Sequence, residues 1–236
     1  MLTIRFNKLD IKPHDRILDI GCGEGRHTIK ACQQDKTMCV GADFGFQSLV
    51  KTKKKIEFHQ AFDDFVCQSV DLSCMDVTNL PFYNSSFDIV ICSEVLEHIQ
   101  DDIKAIQELV RIVKPGKTLV VSVPRFWPEK ICWLLSDEYF NANMGHVRIY
   151  RKDALIKRFE SQGVELFALH YAHSIHTPFL WLKCLVGPGR TDSKTVNLYH
   201  RLLVWDLMKK PKLTSFIDRL LNPILGKSVV LYFKKF

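Results

Sequence analysis

Short apolar segments alternate with helical stretches along the first half of the chain. The apolar segments have the length and composition of buried strands, and each is followed by a polar turn. Alternation of strands and helices predicts an α/β fold with a doubly wound parallel sheet, which binds ligands beyond the carboxyl ends of its strands. The strands predicted in this half are residues 17–20, 37–43, 70–76, 87–92 and 118–123.

The turn after the first strand has glycines at positions 21, 23 and 25 and leads into a helical stretch near Arg26. Glycine has no Cβ, so such a turn lets a ligand approach the backbone closely. The spacing is G-x-G-x-G, whereas a dinucleotide fold has G-x-G-x-x-G. The nearby acids Asp19 and Glu24 would repel a pyrophosphate but suit a cation. The turn therefore favours S-adenosylmethionine, which carries a sulfonium and an ammonium, over a dinucleotide or a ligand-free turn.

Five segments resemble the class I S-adenosylmethionine-dependent methyltransferases, in the small-molecule group related to the ubiquinone and menaquinone methyltransferases. They occur in the family's order and spacing and cover roughly the first half of the chain. The segments are LDIGCGEGRHT (18–28), GADF (41–44), CMDVTNLPF (74–82), FDIVICSEVLEHI (87–99) and LVRIVKPGKTLVVSVP (109–124). The resemblance implies a methyltransferase that uses S-adenosyl-L-methionine.

The resemblance also implies roles for the residues at the methionine end of the cofactor. Gly21 and Gly23 would present their backbone to it, with Cys22 between them in the same loop. Asp19 would face the ammonium group, directly or through water. Ser93, just after the fourth strand, would contact the methionine end near the methyl group.

At the adenosine end, the resemblance implies that Asp43 holds the ribose hydroxyls and that Phe44 lies against the adenine. Met75 and Asp76 would frame the adenine, with Asp76 accepting a hydrogen bond from its exocyclic amine. The alternative for each acid is a solvated carboxylate at a strand end.

The second half predicts a helix at 151–162 and strands at 164–171 and 228–233. In the family the last two strands are antiparallel, and the seventh is inserted between the fifth and the sixth. Their connection, residues 172–227, is far longer than a hairpin loop, which predicts a helical insertion over the cofactor cleft. We expect one domain over 1–236, with a cofactor-binding half (1–124) and a substrate-side half (125–236).

Two histidines are candidate catalytic residues, because a hydroxyl acceptor needs a proton acceptor. His98 follows the fourth strand by six residues, and His146 lies in a polar and aromatic stretch with Tyr139 and Asn143. A structural role is the alternative for each.

Glu94, Glu97 and His98 have the spacing of one helix face, and some ubiquinone-pathway O-methyltransferases use a divalent cation at a similar segment. The same residues cap and pack the helix in metal-free relatives, so no metal is predicted.

The excess of positive charge lies in the last quarter of the chain. The net charge is +7, but residues 1–173 have 22 basic and 23 acidic residues, whereas residues 174–236 have 11 and 3. In that region basic residues mix with the apolar segments 178–186 and 202–208. Such a mixture suits an anionic membrane surface or an amphipathic substrate, although a solvated basic face is the commonest cause.

The predicted function is therefore O- or C-methylation of a small or lipid-linked acceptor. The alternatives are an RNA methyltransferase that grips phosphates with the basic region, and an inactive cofactor-binding partner. Binding to nucleic acid is disfavoured because no RNA-binding module is recognisable.

The eight cysteines lack a C-x-x-C pair, and neither a secretory signal nor a membrane-length apolar run occurs. We expect a cytoplasmic protein with peripheral membrane contact; the sequence does not predict its oligomeric state.

Overall fold

The computed structural model describes residues 2–62, 65–136, 138, 146–187, 189–190, 192–209 and 211–236. Seven strands form one sheet within these residues. They are β1 (Arg16–Ile20), β2 (Met38–Asp43), β3 (Ser69–Cys74), β4 (Phe87–Ser93), β5 (Val113–Pro124), β6 (Val164–Ala172) and β7 (Ser228–Lys235).

The strand order is β3-β2-β1-β4-β5-β7-β6. The β7 strand pairs antiparallel with both β5 and β6, and the other neighbouring strands are parallel. The prediction of a Rossmann-like sheet with the seventh strand between the fifth and the sixth is confirmed.

Helices cover both faces of this sheet, and three of them lie between β6 and β7, which confirms the predicted helical insertion. In chain order the helices are α1 (Arg26–Cys32), α2 (Phe46–Gln60), α3 (Asp102–Ile112), α4 (Phe126–Leu135), α5 (Lys152–Glu160), α6 (His176–Val186), α7 (Lys194–Lys209) and α8 (Lys212–Leu225).

Alternate side chains of a strand point to opposite sides of the sheet. Because helices pack on both sides, the central strands are buried on both faces. Two apolar clusters result. One packs against α3 and α5 and includes Leu18, Val90, Leu119, Leu231 and Phe233. The other packs against α1 and includes Ile17, Ile91, Val120, Val230 and Tyr232.

Two predictions about local structure are wrong. The third strand ends at Cys74 rather than at Asp76, because the Asp76 carboxylate accepts hydrogen bonds from the Thr78 N–H and hydroxyl (2.8 and 2.9 Å) and closes a turn. The segment after β4 is not one helix face. Glu94 has a φ of +58°, and only a single 3-10 turn, Leu96–His98, follows before α3 begins.

No helix among the described residues has the length and apolar content needed to cross a membrane.

Candidate functional site

The turn between β1 and α1 has a backbone that requires glycine. The φ angles of Gly21, Gly23 and Gly25 are +67°, +55° and +78°. A Cβ on Gly21 would collide with the Cγ2 atom of Val95, whereas a Cβ on Gly23 would meet no atom of the described residues within 4 Å. Gly21 is therefore needed for packing, and Gly23 leaves free space against the backbone.

Asp43 joins the ends of β1 and β2. One of its carboxylate oxygens accepts a hydrogen bond from the Gly23 N–H at 2.8 Å, and the other accepts one from the Gly45 N–H at 2.8 Å. A carboxylate can accept about four hydrogen bonds, so acceptor capacity is left for ligand hydroxyls. The residue predicted to hold a ribose thus also fixes the glycine turn.

Asp19 is a buried carboxyl group with one unbonded oxygen. Its Oδ2 atom accepts a hydrogen bond from the Thr28 hydroxyl at 2.7 Å, while its Oδ1 atom has no hydrogen-bond partner among the described residues. Burial raises its pKa to about 6, since the charged form is disfavoured away from water. A cationic group beside Oδ1 would restore the missing interaction.

Glu24, the second acid of the turn, is engaged on the surface. Its carboxylate pairs with Lys51 and Lys55 of α2 at 3.2 and 2.6 Å. The charge argument for a cationic ligand therefore rests on Asp19.

The predicted adenosine contacts lie together beyond β2 and β3. The Met75 N–H donates to the Asp43 carbonyl at 3.1 Å, which places the two strand ends side by side. Phe44 is 79% exposed, and Asp76 is also exposed. An aromatic ring this exposed is free to stack on a flat ligand.

Ser93 and Glu94 lie at the carboxyl end of β4. The Oγ atoms of Ser93 and Ser122 are 2.8 Å apart, and the Ser122 hydroxyl donates to the Glu94 carboxylate at 3.0 Å. The position of Glu94 in the left-handed region, costly for a residue with a Cβ, is common at functional sites. The sequence suggested Glu94 only as a metal ligand. Its position directly after a buried strand could have indicated a residue of the functional site, because such sheets bind ligands beyond the carboxyl ends of their strands.

A cavity of about 1090 Å³ adjoins the glycine turn and lies under the helical insertion. Gly21, Cys22, Gly23, Ser93 and Glu94 line one side, and α7, α8 and the start of α6 contribute His176, Asp206, Asp218 and Asn222. Asp43, Phe44, Met75 and Asp76 do not line it. Asp19 does not line it either, so the predicted cofactor residues that reach the cavity are Gly21, Cys22, Gly23 and Ser93.

A smaller cavity of about 190 Å³ adjoins the first near the end of β4. Both are lined by Thr3, Arg26, Glu94, His173 and His176. Phe179, Leu180, Lys227 and Ser228 complete the smaller one. Among the described residues, Glu94 is the one carboxylate that the two cavities share.

His98 and His146 lie against each other, with ring centroids 4.6 Å apart. The Nδ1 atom of His146 is 2.9 Å from a carboxylate oxygen of Glu129. Neither histidine is among the described residues that line the two cavities. Tyr139 and Asn143, expected beside His146, lie outside the described residues.

Glu97 lies beside this histidine pair and is fully buried. Neither of its carboxylate oxygens has a hydrogen-bond partner within the part of the chain that the structure describes. Burial together with the nearby Glu94 raises its pKa well above the usual value. Glu97, His98 and His146 each offer a ligand atom, and these atoms lie within 4.8 Å of one another. The absence of a metal stays a prediction.

Comparison with known proteins agrees with this architecture. Residues 18–121 match the family model of a methyltransferase domain. A solved S-adenosylmethionine-dependent methyltransferase from Methanosarcina mazei has the same fold, with a TM-score of 0.61 at 14% identity over 99% of both chains. Residues 18–121 therefore resemble a methyltransferase domain, and the whole chain has the fold of solved S-adenosylmethionine-dependent methyltransferases.

Two curated relatives act on small molecules, as their names state. Norajmaline N-methyltransferase from Rauvolfia serpentina is 34% identical over 122 residues, which cover 50% of this chain and 40% of that protein. A demethylmenaquinone methyltransferase from Corynebacterium urealyticum is 30% identical over 115 residues, which cover 49% of this chain and 44% of that protein. The matched part thus spans less than half the length of each relative.

The residues of the site fit the methyl donor that the family uses, S-adenosylmethionine. The unbonded Asp19 oxygen matches an ammonium group, and the free space at Gly23 admits a ligand against the backbone. The exposed Phe44 ring offers a surface for an adenine.

Proposed function

We propose that this protein transfers a methyl group from S-adenosylmethionine to a small or lipid-linked acceptor, at an oxygen or a carbon atom. The observation that carries the proposal is the glycine turn, with the unbonded Asp19 oxygen on one side and Asp43 bonded to Gly23 on the other. This arrangement offers a carboxylate to each polar end of the donor.

The donor supplies a methyl group activated by its positively charged sulfur. We assign Asp19 to the donor's ammonium and Asp43 to its ribose hydroxyls. Gly21, Cys22, Gly23 and Ser93 form the wall at the methionine end, and Phe44, Met75 and Asp76 form the open adenine end. Positioning accounts for much of the rate of such a displacement, since the leaving group is good.

The acceptor site is assigned to the smaller cavity beside Glu94. Phe179 and Leu180 make its wall apolar, and Arg26 and Lys227 add positive charge. A proton leaving a hydroxyl acceptor needs a base within reach. Glu94 is our candidate because it lines both cavities; the roles predicted for His98 and His146 stay predictions.

Two further features support the choice of acceptor and location. The names of the relatives give norajmaline and demethylmenaquinone as their substrates, which are small organic molecules rather than RNA. All eight cysteines are unpaired in the structure, which is the usual state in a reducing cytoplasm. We therefore propose a cytoplasmic enzyme that works at the membrane surface, with RNA methylation as the alternative to test.

Calorimetric titration with S-adenosylhomocysteine tests the donor site. We expect the protein to bind this product and not NAD. Asp43→Ala is expected to weaken binding at least about tenfold, because it removes the ribose acceptor and loosens the glycine turn. Asp71→Ala, which removes an exposed acid from the middle of β3, is the matched control and should bind normally. Equal binding of NAD, or unchanged binding by Asp43→Ala, would contradict the assignment.

A further inference from the structure

The helix α8 has an apolar face that points to solvent. Leu213, Phe216, Ile217, Leu220 and Ile224 recur at helical spacing, and each is between 37% and 69% exposed. Side chains three and four residues apart share one helix face, so these five form a continuous stripe. A surface helix normally turns such a stripe towards the core.

The opposite face of α8 is polar and lines the large cavity. Thr214, Ser215, Asp218 and Asn222 contribute to the cavity wall. The Ser174 hydroxyl donates to the Asp218 carboxylate at 2.8 Å, and the Asn222 side chain accepts the Ser174 N–H at 3.0 Å. These hydrogen bonds fix the helix with its polar side inward, so its apolar side faces solvent.

The preceding helix α7 repeats this arrangement. Leu198, Leu202, Trp205 and Met208 follow helical spacing and are between 46% and 76% exposed. Asp206 of the same helix lines the cavity. Both helices thus leave apolar residues in solvent while their acids Asp206 and Asp218 line the cavity.

Basic residues border the two apolar faces. Lys194, Arg201, Lys209 and Lys212 are exposed on α7 and α8, and none of them forms an ion pair in the described part of the chain. Apolar side chains bordered by lysine and arginine are typical of helices that lie in a membrane interface. Trp205 adds an amphipathic ring of the kind that is enriched at that depth.

We infer that the outer faces of α7 and α8, which we call the α7–α8 face, bind the surface of an anionic lipid bilayer. Charge decides between the possible occupants. A second copy would bring the same cations against each other, and a phosphate backbone would leave the leucines and Phe216 in water. An anionic bilayer satisfies both groups, because its headgroups attract the cations and its acyl boundary takes the apolar side chains.

This inference deepens the proposed function and rests on it for its catalytic meaning. The bilayer face and the large cavity lie on opposite sides of α8, and the large cavity adjoins the smaller one that is assigned to the acceptor. An acceptor held in the membrane would therefore lie about one helix diameter from the large cavity. The acceptor class that fits is an amphipathic molecule that is held in the membrane by a hydrocarbon chain.

Flotation with phosphatidylcholine vesicles, prepared with and without phosphatidylglycerol, tests the α7–α8 face. The protein should float with the anionic vesicles, and less so as salt is raised. Leu220→Glu should lower the partition coefficient at least about tenfold. The double variant Lys209→Gln/Lys212→Gln should lower it about fivefold for each charge removed. Trp205 fluorescence should shift to the blue on binding, and Trp205→Phe should remove most of that shift.

Ile103→Glu is the matched control, since Ile103 is 59% exposed on α3 and Leu220 is 64% exposed. The control should float like the wild type. Calorimetry with S-adenosylhomocysteine on the same samples separates the two proposals. Vesicle binding without binding of S-adenosylhomocysteine would contradict the proposed methyltransferase function but would still support membrane binding by the α7–α8 face. Absence of flotation at low salt, or equal flotation of Leu220→Glu and Ile103→Glu, would overturn the inference. So would a wild-type dimer that Leu220→Glu converts to a monomer, or tRNA binding without flotation.

Discussion

At the residue scale, Asp19 has the environment of an acid that gains from a cationic neighbour. It is buried, it keeps one unbonded oxygen, and its pKa is raised to about 6. A group whose pKa is raised on folding lowers stability as pH rises, because the unfolded chain releases the proton first. The free protein therefore keeps a costly buried charge at neutral pH, and a bound cation would offset that cost.

We therefore expect the affinity for the donor to depend on pH. The affinity for S-adenosylhomocysteine should fall as pH is lowered through about 6, by up to about tenfold per pH unit, because protonated Asp19 no longer attracts the ammonium. Asp19→Asn should bind weakly with a flat profile over this range, as calorimetry at several pH values would show. The same variant should unfold at higher urea concentrations than the wild type at neutral pH, so a loss of binding is not a loss of folding. A wild-type affinity that is independent of pH would show that Asp19 does not contact the ligand.

At the scale of elements, the turn between β1 and α1 separates the packing role of glycine from its ligand role. Both Gly21 and Gly23 have positive φ, but only a side chain at Gly21 would collide with Val95. Gly21→Ala should lower the free energy of unfolding by about 2–4 kcal/mol, from backbone strain and overpacking together. Gly23→Ala should cost about 1–2 kcal/mol from strain alone.

Urea unfolding of the ligand-free variants measures this difference, and calorimetry measures their binding. Gly23→Ala should fold yet lose affinity for S-adenosylhomocysteine, because its methyl group fills the space left for the ligand. Equal losses of stability in the two variants would mean that Val95 moves aside. Normal binding by Gly23→Ala would remove that residue from the site.

The elements that sequence predicts well are those whose pattern is local. The central strands read as apolar runs because both of their faces are buried, and the glycine turn is visible in its spacing. The segment after β4 was predicted wrongly as a helix face, because the left-handed Glu94 depends on contacts with Ser122 on β5. Likewise, His98 contacts His146 only through the tertiary structure, and no local pattern in the sequence indicates that contact.

At the scale of the whole molecule, the insertion shows a second limit of sequence reasoning. The apolar residues of α8 resemble those of a core-facing helix, and their spacing alone does not tell which side they face. The hydrogen bonds of Asp218 and Asn222 with Ser174 decide it, and they join residues 44 and 48 positions apart. The insertion therefore covers the cavity with polar groups and leaves a basic, apolar surface outside.

Transfer of label from methyl-tritiated S-adenosylmethionine to a fractionated cell extract measures both the methyl transfer and the class of its acceptor. We expect label to enter the organic-soluble fraction. Glu94→Gln should lower this transfer at least about tenfold while its affinity for S-adenosylhomocysteine stays unchanged. Label that enters the RNA fraction, or the absence of any transfer by a protein that binds S-adenosylhomocysteine, would contradict the proposed function.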